Sequence, residues 1–226
     1  MAVAAAGPVL GVDTATARTG IALVDDTVVL AEAAFHRRVS PSRSLMPALA
    51  VILSAAGLEP ADLAALAVTV GPGGFTGIRV GLATLRALAG AVGRTLAGVS
   101  TLAAVAAAVA GDERPVAVWL DAGRHEVYAG CFHGGIAAGR ELVGPPAEVL
   151  AALPDGPILF AGDGALRYAH LIATRAGATP ADTVSGMPAG VAAATARLGR
   201  RALESGTALP PSPRYLRPPD ATRACG

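Results

Sequence analysis

Lysine is absent from this 226-residue chain, and all 18 of its basic side chains are arginine. A Walker A loop ends in Lys-Ser or Lys-Thr, so that class of phosphate site is excluded. Aromatic residues make up only 4%, too few for the stacking platforms of a module that binds single-stranded nucleic acid. Against 17 acidic residues the net charge is +1. The arginines are dispersed, so no basic face is available to grip RNA unaided. Two cysteines, Cys131 and Cys225, make no disulfide framework and fit a reducing compartment. Bulky apolar residues never run long enough to span a bilayer, and residues 1–8 lack the features of a signal peptide. These absences predict a cytoplasmic chain with no membrane contact.

What is present is a core of small residues. Apolar residues reach 53%, inflated by alanine, and there are 28 glycines. This length suits one large domain or two small lobes. Val9 to Asp13, Gly20 to Val24 and Val28 to Phe35 read as strands. Leu45, Leu49, Ile52, Leu53 and Ala56 recur on one face of a helix, with Gly57 at its end and Pro47 either in its first turn or at a kink. Leu63 to Val70 is the next strand. A helix over Thr76 to Val92, a strand over Leu96 to Val99 and a helix from Thr101 close the first half.

Between the fourth strand and the second helix stands Gly71-Pro-Gly-Gly-Phe-Thr-Gly-Ile-Arg-Val-Gly81. It is not the dinucleotide fingerprint, because Thr76 stands where the third glycine would be. Two readings stay open. The glycines let a strand turn sharply and a helix pack close, or they let backbone amides approach a phosphate. Thr76 is the expected N-cap.

The second half echoes the first. Ala117 to Asp121 followed by Glu126 to Phe132 repeats the pattern of Leu10 to Asp13 followed by Gly20 to Val24: an apolar strand ending in aspartate, a polar turn, and an apolar strand. A short helix over Pro146 to Leu153, a strand over Ile158 to Ala161 and helices from about 163 and 189 follow. Pro210 to Gly226 is Pro-rich and expected to be irregular. The division expected is a first lobe over 1–112, a smaller second lobe over 113–209 and a tail over 210–226.

Candidate chemistry is sparse. Asp13 with Thr14 and Thr16 reads as an Asx-type turn or as a first phosphate loop with a metal-bound nucleotide. Gly162-Asp163-Gly164 sits between a strand and a helix, where Asp163 is a capping residue or the turn lies near a nucleoside. His36, His125, His133 and His170 include no pair at helical metal-ligand spacing. Cys131 and His133 share a strand face with His125 nearby, which makes a weak metal set. No nucleophile elbow is present.

The Gly71–Gly81 run resembles the GPGSFTGxRxG signature of the TsaB (YeaZ) family of bacterial tRNA threonylcarbamoyladenosine biosynthesis proteins, with Gly74 in place of serine. Leu10 to Thr16 resembles the family's DTAT motif. Val99 to Leu102 resembles its VSSL segment, Asp121 to Tyr128 its DARxxEVY segment and Tyr215 to Arg217 its YLR. Gly123, and Pro41 where many members have histidine, are further departures.

The resemblance implies an α/β, two-lobe duplicated actin-like (RNase H-like) fold, with mixed sheets flanked by helices. It implies a non-catalytic subunit in making N6-threonylcarbamoyladenosine at position 37 of tRNAs that read codons beginning with A. The partner implied is TsaD, as a heterodimer, with the ATPase TsaE acting on the complex, tRNA reached only through the complex and a homodimer when the chain is alone. No cofactor and no metal are implied. Asp13, Thr14, Thr16, Gly73, Gly74 and Thr76 become vestiges of a phosphate site. The partner face is expected to take Leu49 and Leu53 from the first helix and Arg79, Ala83, Arg86, Ala87, Gly90 and Ala91 from the second. A competing reading is a free-standing actin-like phosphotransferase using ATP, with Asp121 as its acid.

Overall fold

Alternation along the first strand gives its sheet two buried faces. Leu10 and Val12 point to one side of a sheet and Val9 and Gly11 to the other, all buried. The computed structural model describes residues 7–36, 40–109, 114–175 and 187–217. Strands β1 (Val9–Asp13), β2 (Arg18–Asp25) and β3 (Val28–His36) form an antiparallel meander. Strands β4 (Ala65–Gly71) and β5 (Leu96–Ser100) then add parallel to β1, giving the order β3-β2-β1-β4-β5. Helices α1 (Pro41–Ala55) and α2 (Phe75–Val92) are the crossovers, as parallel pairing requires.

The second sheet repeats this plan. Strands β6 (Val116–Gly123) and β7 (Glu126–His133) pair antiparallel, and β10 (Leu159–Ala161) lies parallel to β6. Short strands β8 (Ile136–Ala137) and β9 (Leu142–Gly144) pair with β7. Asp13 lies opposite Gly20 in one hairpin and Asp121 opposite Val127 in the other. The strand-aspartate-hairpin echo in the sequence is therefore a structural repeat.

Two helices fill the space between the sheets. Helix α3 (Thr101–Val109) and helix α7 (Val191–Ser205) share one core with Val9, Ala22 and Ala67 of the first sheet and Val118, Leu120 and Phe132 of the second. Here α7 packs directly on the first sheet. A Cβ on Gly11 would lie 2.2 Å from the Ala192 carbonyl, and one on Gly199 would lie 2.4 Å from Ala67 Cβ. On the far side of the first sheet, Leu45, Leu49, Ile52 and Leu53 of α1 and Ile78, Leu82 and Leu85 of α2 bury Leu10 and Val12. On the far side of the second, Trp119 meets Phe160 edge-on at 5.6 Å. Helices α4 (Pro146–Ala151), α5 (Asp163–Arg167) and α6 (Ala169–Ile172) cover them.

Local expectations change in four places. Helix α2 begins one residue early, so Gly74 is its N-cap and Thr76 is already inside. Pro47 lies within α1, which carries Pro41 in its first turn. The helix expected from 163 is two short helices, and α7 starts at Val191. Residues 210–217 are irregular as expected, while 218–226, with Cys225, lie outside the described residues. By length and composition α2 would pass as a membrane span, with mean hydropathy 1.3. Its apolar side fills the core and it exposes Arg79 and Arg86, the pattern of a surface helix on a folded domain.

Candidate functional site

The turn after β1 and the Gly-rich turn after β4 meet at the carboxyl ends of adjacent parallel strands, where open α/β sheets place their ligands. Asp13 is 1% exposed, and its carboxylate takes three hydrogen bonds from its own chain. It accepts from the Ala15 N–H at 3.0 Å, the Thr69 hydroxyl at 2.7 Å and the Thr16 hydroxyl at 2.5 Å. The Thr14 hydroxyl donates to the Gly77 carbonyl at 2.7 Å, and Gly74 N–H donates to Ala15 O at 2.7 Å.

The glycines of the turn lie against the protein's own chain. A Cβ on Gly73 would fall 2.4 Å from Ala15 O, one on Gly71 2.4 Å from Arg214 O and one on Gly81 2.2 Å from Thr14 Oγ1. Each is glycine because the chain itself passes there. Asp13, Thr14, Thr16, Gly73 and Gly74 are thus brought together, with Thr16 bonded to Asp13 and Thr14, Gly74 and Asp13 bonded to Gly77, Ala15 and Thr69 around them. Thr76 stands apart, exposed on α2. The cavity that Asp13 and Thr16 share with Arg18, Glu32 and the start of α7 holds about 10 Å³, room for one water. A nucleotide needs a cleft on the order of 300 Å³ or more.

The equivalent turn of the second half is likewise closed on itself. Asp163 Oδ1 accepts from the N–H groups of Asp121 and Gly164 at 3.0 and 2.9 Å. Asp121, the acid required by the phosphotransferase reading, accepts from Gly123 N–H at 2.9 Å and pairs with Arg167. Burial pushes the Asp163 carboxyl up from its ordinary 3.8, outweighing the backbone hydrogen bonds that pull it down, and the Asp121 charge adds to the rise. Between 3.8 and that raised value the folded chain holds a proton the unfolded chain has lost. Stability therefore falls as pH rises through this window. Asp163→Asn keeps an oxygen acceptor without the charge. It is expected to raise the melting temperature at neutral pH, with the gain vanishing at pH values below the ordinary carboxyl range. Thermal melts at the two pH values check this, and a less stable variant at neutral pH would refute it.

Among the described residues no group of three or more His, Cys, Asp or Glu side chains is placed to hold a metal. Cys131 is partly exposed on β7, and burial raises its thiol above the ordinary value, away from nucleophilic thiolate chemistry.

The exposed side of α2 offers a different kind of site. Arg79, Ala83, Arg86, Ala87, Gly90 and Ala91 all face outward, with Phe75 at one end of the row 44% exposed. A Cβ on Gly90 would meet nothing within 4 Å. Small side chains along one helix face let another helix approach closely. On α1 the expectation needs correction. Leu49 and Leu53 are 2% and 4% exposed and pack into the core with Leu45 and Ile52, so they cannot meet a partner. The large exposed hydrophobic residues of α1 are Met46 at 51% and Val51 at 67%, with Ala50 beside them. Sequence reasoning missed them by taking the bulkiest stripe, which a helix turns toward its own sheet. Met46 and Ala50 recur at i, i+4 one step round from Leu45 and Leu49, a signal that was present.

Comparison with known proteins gives this arrangement a family. Residues 39–159 match the family model described as TsaD, tRNA N6-adenosine threonylcarbamoyltransferase. The chain is 36% identical over 215 residues to an uncharacterized protein of Mycobacterium tuberculosis, covering 94% of this chain and 93% of the relative. It is 30% identical over 173 residues to the tRNA threonylcarbamoyladenosine biosynthesis protein TsaB of Bacillus subtilis, covering 73% and 74%. The solved structure of YeaZ from Pseudomonas aeruginosa superposes with a TM-score of 0.79 at 28% identity, over 93% of this chain and 100% of that one. An inorganic polyphosphate/ATP-glucomannokinase from Arthrobacter shares the fold alone, with TM-score 0.51 and 12% identity over 87% and 99%. The architecture is the duplicated actin-like α/β fold, and with these residues and these relatives the chain belongs to the TsaB (YeaZ) family.

Proposed function

We propose that this chain works in tRNA threonylcarbamoyladenosine biosynthesis as a non-catalytic subunit that pairs with TsaD. The two lobes, divided near residue 112, serve as the scaffold. The exposed side of α2, with Met46, Ala50 and Val51 of α1, serves as the docking face. The observation that carries this reading is a contrast. The groups that would do chemistry in this fold, Asp13, Thr14, Thr16 and Asp121, bond to their own chain. Among the described residues nothing covers the α2 face Ala83, Ala87, Gly90 and Ala91.

The match of residues 39–159 to the TsaD family model supports it further. Two chains built on one plan can pair through equivalent helices in pseudo-symmetric fashion. On this reading TsaE acts on the assembled pair, tRNA is reached through the complex, and the chain is cytoplasmic. Self-pairing through the same face would be its resting form.

The test is threonylcarbamoyl transfer to tRNA by TsaD, TsaE and the synthase that supplies the threonylcarbamoyl donor, with this chain present or omitted. Product is expected only when it is present, while the chain alone turns over nothing. Equal product without it would overturn the reading. ATP turnover by the chain alone would favour a phosphotransferase.

A further inference from the structure

After α7 the chain returns over the ends of the strands and touches both halves. At the edge of β5, Leu209 O accepts from Gly98 N–H at 2.9 Å. Further on, Pro211 O accepts from Arg86 of α2. Arg214 N–H donates to Val70 O at 2.8 Å, and Arg214 O lies over Gly71. Tyr215 stacks on Phe75 with ring centres 5.0 Å apart, and its hydroxyl accepts from Arg79 Nε at 3.1 Å. The Arg79 guanidinium itself lies 3.9 Å above the Phe75 ring. These contacts all belong to the first half.

The same few residues also grip the second. The Arg214 guanidinium pairs with Glu141, whose other oxygen accepts from the Ser100 hydroxyl at the start of α3. The Glu141 side chain is only 8% exposed, and a carboxylate so buried is stable only while it stays paired. Arg217 donates to Ala122 O at 3.0 Å and pairs with Glu126, both in the turn region of the β6–β7 hairpin. Pro210, Pro211 and Pro213 stiffen the segment between these anchors, so little entropy is lost in fixing its course.

We propose that residues 209–217 are a latch. They tie the β6–β7 hairpin of the second half to the Gly-rich turn and to α2, so that these loops at the ends of the two sheets open together, beyond what the core shared through α3 and α7 imposes.

Hydrogen exchange on the full, free chain tests this. Arg217→Ala removes contacts only with the second half. A latch predicts that exchange rises roughly tenfold, the size expected for losing a hydrogen bond between charged groups, in residues 119–128 and also in residues 71–79. An increase confined to 119–128 overturns the proposal, because Arg217 would then be a local surface contact. If Arg217→Ala fails to fold, Glu126→Gln breaks the same pair without altering the segment and must give the same two-sided response. No partner is needed, so the result stands whether or not pairing with TsaD does.

Discussion

Ala87→Glu is expected to abolish co-elution with TsaD while the variant melts close to the parent. Ala87 is exposed midway along α2, and glutamate is a good helix former, so the change costs the free chain a few tenths of a kcal/mol at most. In a helix-to-helix contact the same side chain would bury a carboxylate with no partner. An unpaired charge in an interface costs about 2–5 kcal/mol, or roughly 30- to 5,000-fold in affinity. Threonylcarbamoyl transfer should fall with it. The control is Leu53→Glu, 4% exposed in the core under α1, which should lose the fold and not only the pairing. Unchanged co-elution of the Ala87 variant would remove α2 from the docking face.

Gly11→Val should destabilise the fold more than any change on the surface. The new Cβ would sit 2.2 Å from the Ala192 carbonyl and 2.6 Å from the Ala196 nitrogen, against an ordinary contact of about 3.5–4.0 Å. Those are backbone atoms of α7, so no side chain can rotate away. The helix would have to rise off the sheet, yet Gly20 and Gly199 hold it down at neighbouring points. Overpacking of this kind costs typically 1–3 kcal/mol and sometimes more; with backbone on both sides we expect about 3 or above. For a chain of this size that lowers the melting temperature by roughly 6–12 °C. Valine's preference for strands, within a scale of about 1 kcal/mol, cannot offset it. An unchanged melting curve would mean that α7 does not press on β1 as described.

The same comparison of side-chain sizes shows what the sequence made legible. Hairpins were readable because Val9 to Asp13 and Ala117 to Asp121 are short apolar runs cut off by an aspartate. Both proved to be first strands of matching hairpins. The buried stripe of α1 was readable from leucine spacing, but its meaning was misjudged for Leu49 and Leu53. Periodicity says which face is apolar, and the nearest sheet claims that face before any partner can. On α2 the small-residue face did turn outward, because Ile78, Leu82 and Leu85 outcompete alanine for the core.

The Gly-rich turn could not be settled from composition. Whether a glycine makes room for a phosphate or for the protein's own chain depends on what lies opposite it, here Ala15 and Arg214. Arg214 is more than a hundred positions downstream, and no local pattern reports such a neighbour. The capping error at Thr76 is smaller in kind: Gly74 already supplies the extended backbone that a helix start needs.

Helix α7 has a consequence for the order in which the molecule can be made. During synthesis β1 to β5 emerge first, with one side of their sheet lined by Val9, Ala22, Ala67 and the bare backbone of Gly11. The element that seals that side, Val191–Ser205, leaves the ribosome only after the whole of the second sheet, about 90 residues behind β5. Until then the first sheet is an open apolar surface with a helix-shaped groove, and contacts this distant in sequence form slowly. The first sheet waits, in folding, for a helix that comes after the second.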